Sequence, residues 1–181
     1  MRKYHAQDHR CGFHRFRPDL SCHRGRAGRT VTGTVEGQEV ELSISANQSD
    51  FDGKLSERWI TVSLYATGPA LREWGIGPLS ISFDGYDLLA GGISHILVYT
   101  TILDTSPSRV YAAEYSEHGL ENGDLELTIT SATQEDGVLS VSGTVTGTLV
   151  SVEWMGHRNP DPDDTLKIEL TFDAVVMKLG A

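Results

Sequence analysis

The sequence predicts an all-β fold: an antiparallel β-sandwich, or a partly closed barrel, of about ten strands with one short helical turn near residues 69–75. Three observations predict it. Apolar and polar residues alternate with period two from Thr30 onward, turn dipeptides separate the alternating segments, and helical periodicity is nearly absent. Ten strands exceed what one twisted sheet usually carries flat, so two packed layers or a closed sheet are expected. The length of 181 residues fits a single domain.

The strands are placed by the alternation. Val40, Leu42 and Ile44 alternate with polar residues, for example, and so define one buried face. The same argument gives strands at residues 30–35, 39–46, 58–66, 79–84, 86–90, 93–103, 109–115, 125–131, 138–150 and 166–177. Segment 93–103 differs, because its run from Ile96 to Tyr99 leaves no polar face. It is predicted to lie in the middle of a sheet and to be covered on both sides.

Turn residues separate the strands. Asn122–Gly123 is the strongest hairpin signal, because both residue types tolerate the positive φ of a type I′ turn, and Glu36–Gly37, Asp84–Gly85 and Asp136–Gly137 are similar. Segment 68–75 has Pro near its start and Gly at its end, which predicts the short helix. The interior glycines predict bulges or a close approach to an aromatic ring; they are Gly33, Gly143 and Gly147.

Charge divides the chain into two parts. Residues 1–29 hold eight Lys and Arg against two Asp and Glu, a net charge of +6, whereas residues 30–181 carry −16. The first part has no apolar periodicity and is predicted to be a basic, disordered extension of an acidic domain. Its Cys11, His14, Cys22 and His23 are ligand types that bind zinc, but the spacing is poor. A nucleic-acid-binding arm is a second alternative, disfavoured because the acidic domain repels polyanions. The favoured interpretation is that residues 1–29 have no function of their own.

Several enzyme classes lack their motifs. No glycine-rich phosphate loop and no Gly-x-Ser-x-Gly elbow occur, and residues 30–181 contain no Cys. His95 alternates with Leu97 and Tyr99, and it is expected to be satisfied by a neighbouring backbone group rather than to act as a general base. His118 is expected in an exposed loop. Catalysis by paired carboxylates is kept as an alternative only.

Two acidic segments are candidate metal sites. Asp161, Asp163 and Asp164 crowd into a predicted loop at residues 156–165, and Asp50 and Asp52 precede a glycine in another predicted loop. Flexible acidic loops suit Ca²⁺, which takes six to eight oxygen ligands. The alternative is a pair of solvated loops that keep an acidic protein soluble. A shared calcium site requires that both loops meet at one end of the sandwich.

Trp59 and Trp154 are the candidate ligand-binding aromatics. Trp59 precedes the apolar row that begins at Ile60, so it is expected on the opposite, exposed face together with Thr61. Trp154 is expected where a strand enters the acidic loop. Exposed aromatic rings of this kind hold sugars and peptides.

The favoured function is a non-enzymatic β-sandwich binding or assembly module. Its expected partner is a protein or a carbohydrate, or a second copy joined through an edge strand. The alternatives are a calcium-dependent carbohydrate-binding module and a carboxylate-based hydrolase. No segment is long and apolar enough to span a bilayer. No signal-peptide pattern is visible, so a cytoplasmic location is expected if Met1 is the true start.

Overall fold

The computed structural model describes residues 28–56, 59–117, 119–153 and 158–180. These residues form eleven strands, one short helix and one 3₁₀ turn at Leu88–Ala90. The strands and the helix are, in chain order, β1 (Gly28–Val35), β2 (Gln38–Ile44), β3 (Asp50–Gly53), β4 (Ile60–Thr67), α1 (Pro69–Glu73), β5 (Ile76–Gly85), β6 (Ile93–Ile102), β7 (Arg109–Ser116), β8 (Gly119–Asn122), β9 (Asp124–Glu135), β10 (Val138–Glu153) and β11 (Arg158–Lys178). Within this part of the chain, no helix is long and apolar enough to cross a membrane.

Hydrogen bonding arranges the strands in two layers that are joined at three places. The first layer has the order β2-β1-β11-β10-β9, and the second has the order β3-β4-β5-β6-β7, with β8 paired to β7. The end of β11 pairs with β3, the end of β2 with β4 and the end of β10 with β7. The paired strands therefore form one sheet that returns on itself. This confirms the all-β prediction, and the short parallel β11–β3 pair is the exception to its antiparallel pairing.

One continuous core lies between the layers. The inward residues of β4 are Ile60, Val62 and Leu64, and all three are buried. Phe83 on β5 and Phe172 on β11 meet across the core with ring centroids 6.3 Å apart. Helix α1 packs at the edge of this core through the buried Leu71, and the partly buried Trp74 at its C-terminal end packs beside it. The short helix predicted for 68–75 is therefore confirmed.

Two of the predicted tight turns are confirmed and two are wrong. Glu36–Gly37 and Asp136–Gly137 have positive φ at both residues and join β1 to β2 and β9 to β10. Asp84–Gly85 lies inside β5 instead, because the chain turns over residues 86–92. Asn122–Gly123 separates β8 from β9, but these strands pair with β7 and β10 rather than with each other, so no two-residue hairpin forms there.

Three strand assignments are corrected. Residues 86–90, predicted as a strand, contain the 3₁₀ turn, which Asp87 enters with a left-handed backbone. Residues 50–53, predicted as a loop, form β3. The segment pairs with β4 and β11, and the side chain of Phe51 is buried in the core. The predicted acidic loop at 156–165 lies in β11 from Arg158 onward: Arg158, Asp161 and Thr165 pair with the end of β10, and residues 162–164 form an irregularity between them.

Strand β6 is central, as predicted, but it is covered on one side only. It lies between β5 and β7. Ile96 and Val98 are buried, whereas His95, Leu97 and Tyr99 are half-exposed on the outer face. Because Leu97 and Tyr99 on this outer face are apolar or aromatic, the segment shows no alternation of apolar and polar residues in the sequence.

The N-terminal prediction for 1–29 falls almost entirely outside the described residues. The exceptions are Gly28 and Arg29, which begin β1 and pair with Val175 and Ala174 of β11. Arg29 also forms an ion pair with Asp173, with Nη1 and Oδ2 2.6 Å apart.

Candidate functional site

A row of polar residues crosses five strands on the outer face of the second layer. Asp52 pairs with Thr61, Thr61 with Asp84, Asp84 with His95, and His95 with Ser116. Residues opposite one another in paired strands lie on the same face of a sheet, and the residues beside them along the strands point into the core. Five strands at their usual spacing give the row a length of about 19 Å. We call these five residues the polar row.

Trp59 lies beside the polar row. Its indole Nε1–H donates a hydrogen bond to Thr61 Oγ1 at 3.2 Å, and 51 % of the residue is exposed. The indole is therefore held on the outer face, next to the hydroxyl at the second position of the row. This is the exposed position on the Thr61 side that the alternation around Ile60 predicts.

Asp50 and Asp52 lie on the same face as Trp59. Asp52 Oδ1 accepts a hydrogen bond from the Gly53 backbone N–H at 2.7 Å and lies 3.9 Å from Lys178 Nζ. Its side chain is 66 % exposed. Asp50 is two residues earlier on the strand, opposite Ser63. Three of the residues singled out from the sequence are thus brought together at one corner, although β3 is a strand rather than a loop.

His95 is the most closely surrounded member of the polar row. Its Nε2 lies 2.8 Å from Glu114 Oε1, and its Nδ1 lies 3.7 Å from Asp84 Oδ2. All three side chains are half-buried, with exposed fractions of 31 %, 24 % and 19 % for His95, Asp84 and Glu114. The expected backbone partner is therefore wrong, because the ring nitrogen is bonded to a carboxylate of the next strand. No local pattern in the sequence indicates this contact, since it depends on the register of β5, β6 and β7.

Two more aromatic residues occupy the same outer face. Tyr65 on β4 lies opposite Ser80, which lies opposite Tyr99 on β6. Both tyrosines are half-buried. Tyr99 also packs against a small separate cluster of buried residues; these are Val110, Ala112 and Val152. The face thus combines aromatic rings, carboxylates, hydroxyls and one imidazole.

The second acidic segment lies far from the first. Asp50 pairs with Met177, which lies opposite Val138, whereas Asp161 lies opposite Ser151, thirteen residues along β10 or about 43 Å of extended strand. Asp161 Oδ1 accepts a hydrogen bond from the Asp163 backbone N–H at 3.1 Å. Asp164 accepts one from Tyr111 Oη at 2.8 Å. The structure therefore does not bring the two acidic segments to one end of the fold.

Tyr111 and Arg109 fix the corner around Asp164. Burial, followed by the hydrogen bond to Asp164, raises the pKa of Tyr111 to about 12. The Arg109 guanidinium donates to Ser151 Oγ and to the Ser151 carbonyl, both at 2.8 Å, and to the Asn159 carbonyl at 3.2 Å. These contacts bind β7, β10 and β11 together, so their evident role is structural.

A shallow polar hollow of about 340 Å³ lies on the outer face of the first layer. It is lined mainly by β9, β10 and β11, with Glu126 and Glu169 on either side of Thr146. Both acids are exposed, and Glu169 is ion-paired with Lys167 at 2.9 Å. They lack the apolar surroundings that make a carboxyl group an effective general acid.

The remaining predicted sites lie outside the described residues or form no cluster. Trp154 and His118 are outside the described residues. Within the part of the chain that the structure describes, no group of three or more His, Cys, Asp or Glu side chains has a geometry that could hold a metal ion. Comparisons of the chain with protein-family models, curated proteins and solved structures gave no match.

Proposed function

We propose that the protein is a non-enzymatic binding module that holds a carbohydrate on the outer face of its second layer. The observation that carries the proposal is the Trp59 indole, half-exposed and fixed by Thr61 within the polar row. An aromatic ring and hydrogen-bonding groups side by side match the two surfaces of a sugar. The C–H face of a sugar ring packs on the indole, and its hydroxyls donate to carboxylates.

The dimensions of the polar row favour an extended ligand. Each of the five strands contributes one carboxylate, hydroxyl or imidazole group, from Asp52 through Asp84 to Ser116, over about 19 Å. A chain of several sugar rings that crosses the strands meets a hydrogen-bonding group at each step. The half-buried Tyr65 and Tyr99 supply further aromatic surface on the same face. Each lies four residues along its strand from a member of the polar row, Thr61 or His95.

Binding is favoured over assembly because the sheet edges are blunted. Among the described residues, strand β9 pairs only with β10. It carries a bulge at Thr130, because Ile129 and Ser131 pair with the adjacent residues Gly143 and Ser142. Strand β2 exposes Glu39 and Glu41 along its outer face. Bulges and charged residues are the features by which edge strands resist pairing with another chain.

The test is a titration of the full-length chain with soluble oligosaccharides. Cellopentaose, maltopentaose and chitopentaose are added separately, and binding is followed by tryptophan fluorescence and by calorimetry. Trp59→Ala is expected to lower the affinity at least tenfold, because it removes the stacking surface. Leu103→Ala is the control, since Leu103 is also exposed but follows the end of β6, eight residues along the chain from His95.

Equal losses in Trp59→Ala and Leu103→Ala, or no binding of any of the three sugars, contradict the proposal. Each titration is repeated with CaCl₂ and with EDTA. The calcium-dependent alternative expects binding only with calcium and a higher melting temperature in its presence. Our proposal expects added calcium to leave the affinity unchanged, because its contacts come from Trp59 and the polar row.

A further inference from the structure

His95 lies between two carboxylates, with one facing each of its ring nitrogens. A carboxylate only accepts hydrogen bonds, so the 2.8 Å contact of His95 Nε2 with Glu114 Oε1 requires the hydrogen on Nε2. In the neutral imidazole, Nδ1 then carries a lone pair. That lone pair faces Asp84 Oδ2 at 3.7 Å, which is too long for a direct hydrogen bond. The space between the two atoms is therefore open to a metal ion that binds both of them.

We propose that His95 Nδ1 and the Asp84 carboxylate bind a divalent transition-metal ion, with zinc as the best fit. Zinc binds imidazole nitrogen and carboxylate oxygen, each at about 2.0–2.1 Å. With those distances, the 3.7 Å gap subtends an angle of about 125° at the metal. A closure of a few tenths of an ångström makes the angle tetrahedral. The two other positions around the ion are left to water.

Glu114 has the place of an orienting partner. Histidines that bind metals commonly donate their other ring N–H to a carboxylate, which fixes the tautomer and makes the metal-binding nitrogen more basic. Glu114 contacts Nε2, on the opposite side of the ring from Asp84, and so it cannot bind the same ion directly. Two protein ligands, rather than three, are therefore expected, and the site does not depend on the proposed sugar binding.

The pairing of β5, β6 and β7 fixes the relative positions of the three residues. Asp84 lies directly opposite His95, and Glu114 lies one row away on the other neighbouring strand. Their backbones are fixed by the central ladder of the second layer, so metal binding requires only side-chain adjustment. The exposed fractions of 31 % for His95 and 24 % for Asp84 leave room for water at the open positions.

Zinc binding is measured by calorimetry on the full-length chain. All variants carry serine at Cys11 and Cys22 and glutamine at His5, His9, His14 and His23, because those side chains can themselves bind zinc. We expect one zinc ion per chain in this background. His95→Gln and Asp84→Asn are each expected to abolish that binding or to weaken it at least tenfold. Asp52→Asn, in the same row but two strands away, is the matched control and is expected to bind as the background does.

Cobalt absorption and the Glu114→Gln variant supply the second readout. Cobalt in place of zinc gives visible bands whose intensity reports a near-tetrahedral site with nitrogen and oxygen ligands. Glu114→Gln is expected to weaken zinc binding by about 10- to 100-fold without abolishing it. Absence of zinc binding in the background overturns the proposal, as does unchanged binding in both His95→Gln and Asp84→Asn. An unaffected Glu114→Gln variant overturns the role assigned to Glu114.

Discussion

Phe83 and Phe172 meet in the middle of the core although their strands are not hydrogen-bonded to each other. Their ring centroids are 6.3 Å apart and the planes are inclined by 36°. Strand β5 is the third strand of the second layer, and β11 is the third strand of the first. The contact therefore joins the centres of the two layers, at a centroid distance within the range of interacting aromatic pairs.

Phe172→Ala is expected to lower the free energy of unfolding by about 3–5 kcal/mol, because both rings are fully buried and the cavity cannot collapse easily. Urea denaturation followed by circular dichroism measures the loss. The exposed Tyr86→Ala serves as the control and is expected to change the free energy by no more than about 0.5 kcal/mol. Equal changes in the free energy of unfolding for the two variants contradict the assignment of Phe172 to the centre of the core.

Gly143→Ala is expected to destabilise the protein by about 1–3 kcal/mol through overpacking. A methyl group at this position lies 2.8 Å from Phe172 Cζ and closer still to the Thr128 carbonyl oxygen, which belongs to the backbone of β9. Phe172→Leu removes the first of these contacts, so the double variant is expected to lose less than the sum of the single losses. Additive losses in a double-mutant cycle by urea denaturation show that the ring is not what excludes the methyl group.

The close approach at Gly143 is among the features that could be predicted from the sequence. Apolar and polar alternation places each side chain on one face, and a glycine in an inward position signals a bulge or a neighbouring ring. Both occur here, since the register of β9 on β10 shifts between Ser142 and Gly143. The exposed side of Trp59 follows from the same alternation. The two-residue alternation therefore predicts well which face of a strand is buried, because it arises wherever only one face of the sheet is covered.

The sequence-based predictions are wrong where the conformation of a segment depends on pairing with a strand that is distant in the chain. Asp50 to Gly53 has the composition of a loop, but β4 and the end of β11 supply hydrogen-bond partners on both sides. The acidic stretch around Asp161 is likewise extended by its pairing with β10. The contacts of His95 depend on which residues of β5 and β7 stand beside it. Such pairings join parts of the chain that no local pattern connects.

Tyr111 is expected to make stability depend on pH in the alkaline range. The folded state raises its pKa to about 12 from the ordinary value of 10.0, so it favours the neutral phenol. The contribution is complete below about pH 10 and is lost as the pH rises through about 12. Tyr111→Phe cannot ionise. Wild type is expected to be more stable by about 1 kcal/mol at pH 8, through the hydrogen bond to Asp164.

That difference is expected to shrink between pH 10 and pH 12, because only the wild-type unfolded state gains from ionisation at this position. Urea denaturation of both proteins at pH 8, 10 and 11.5 measures the change. The other tyrosines are common to both proteins and cancel in the comparison. A difference that stays constant over this range contradicts the assigned cause of the pKa shift.

Thr61→Val is expected to release the Trp59 indole without disturbing the fold. The substitution keeps the shape of the side chain but removes the oxygen that accepts the indole N–H. Loss of one such hydrogen bond corresponds to about 1 kcal/mol, so we expect about a fivefold weaker affinity for whichever oligosaccharide binds wild type. Thr67→Val is the matched control, since Thr67 lies on the same strand and the same face beyond reach of the indole. Faster hydrogen exchange at the Trp59 indole, seen by NMR in Thr61→Val but not in Thr67→Val, separates lost positioning from a general loss of stability. Unchanged exchange in Thr61→Val shows that Thr61 does not hold the ring.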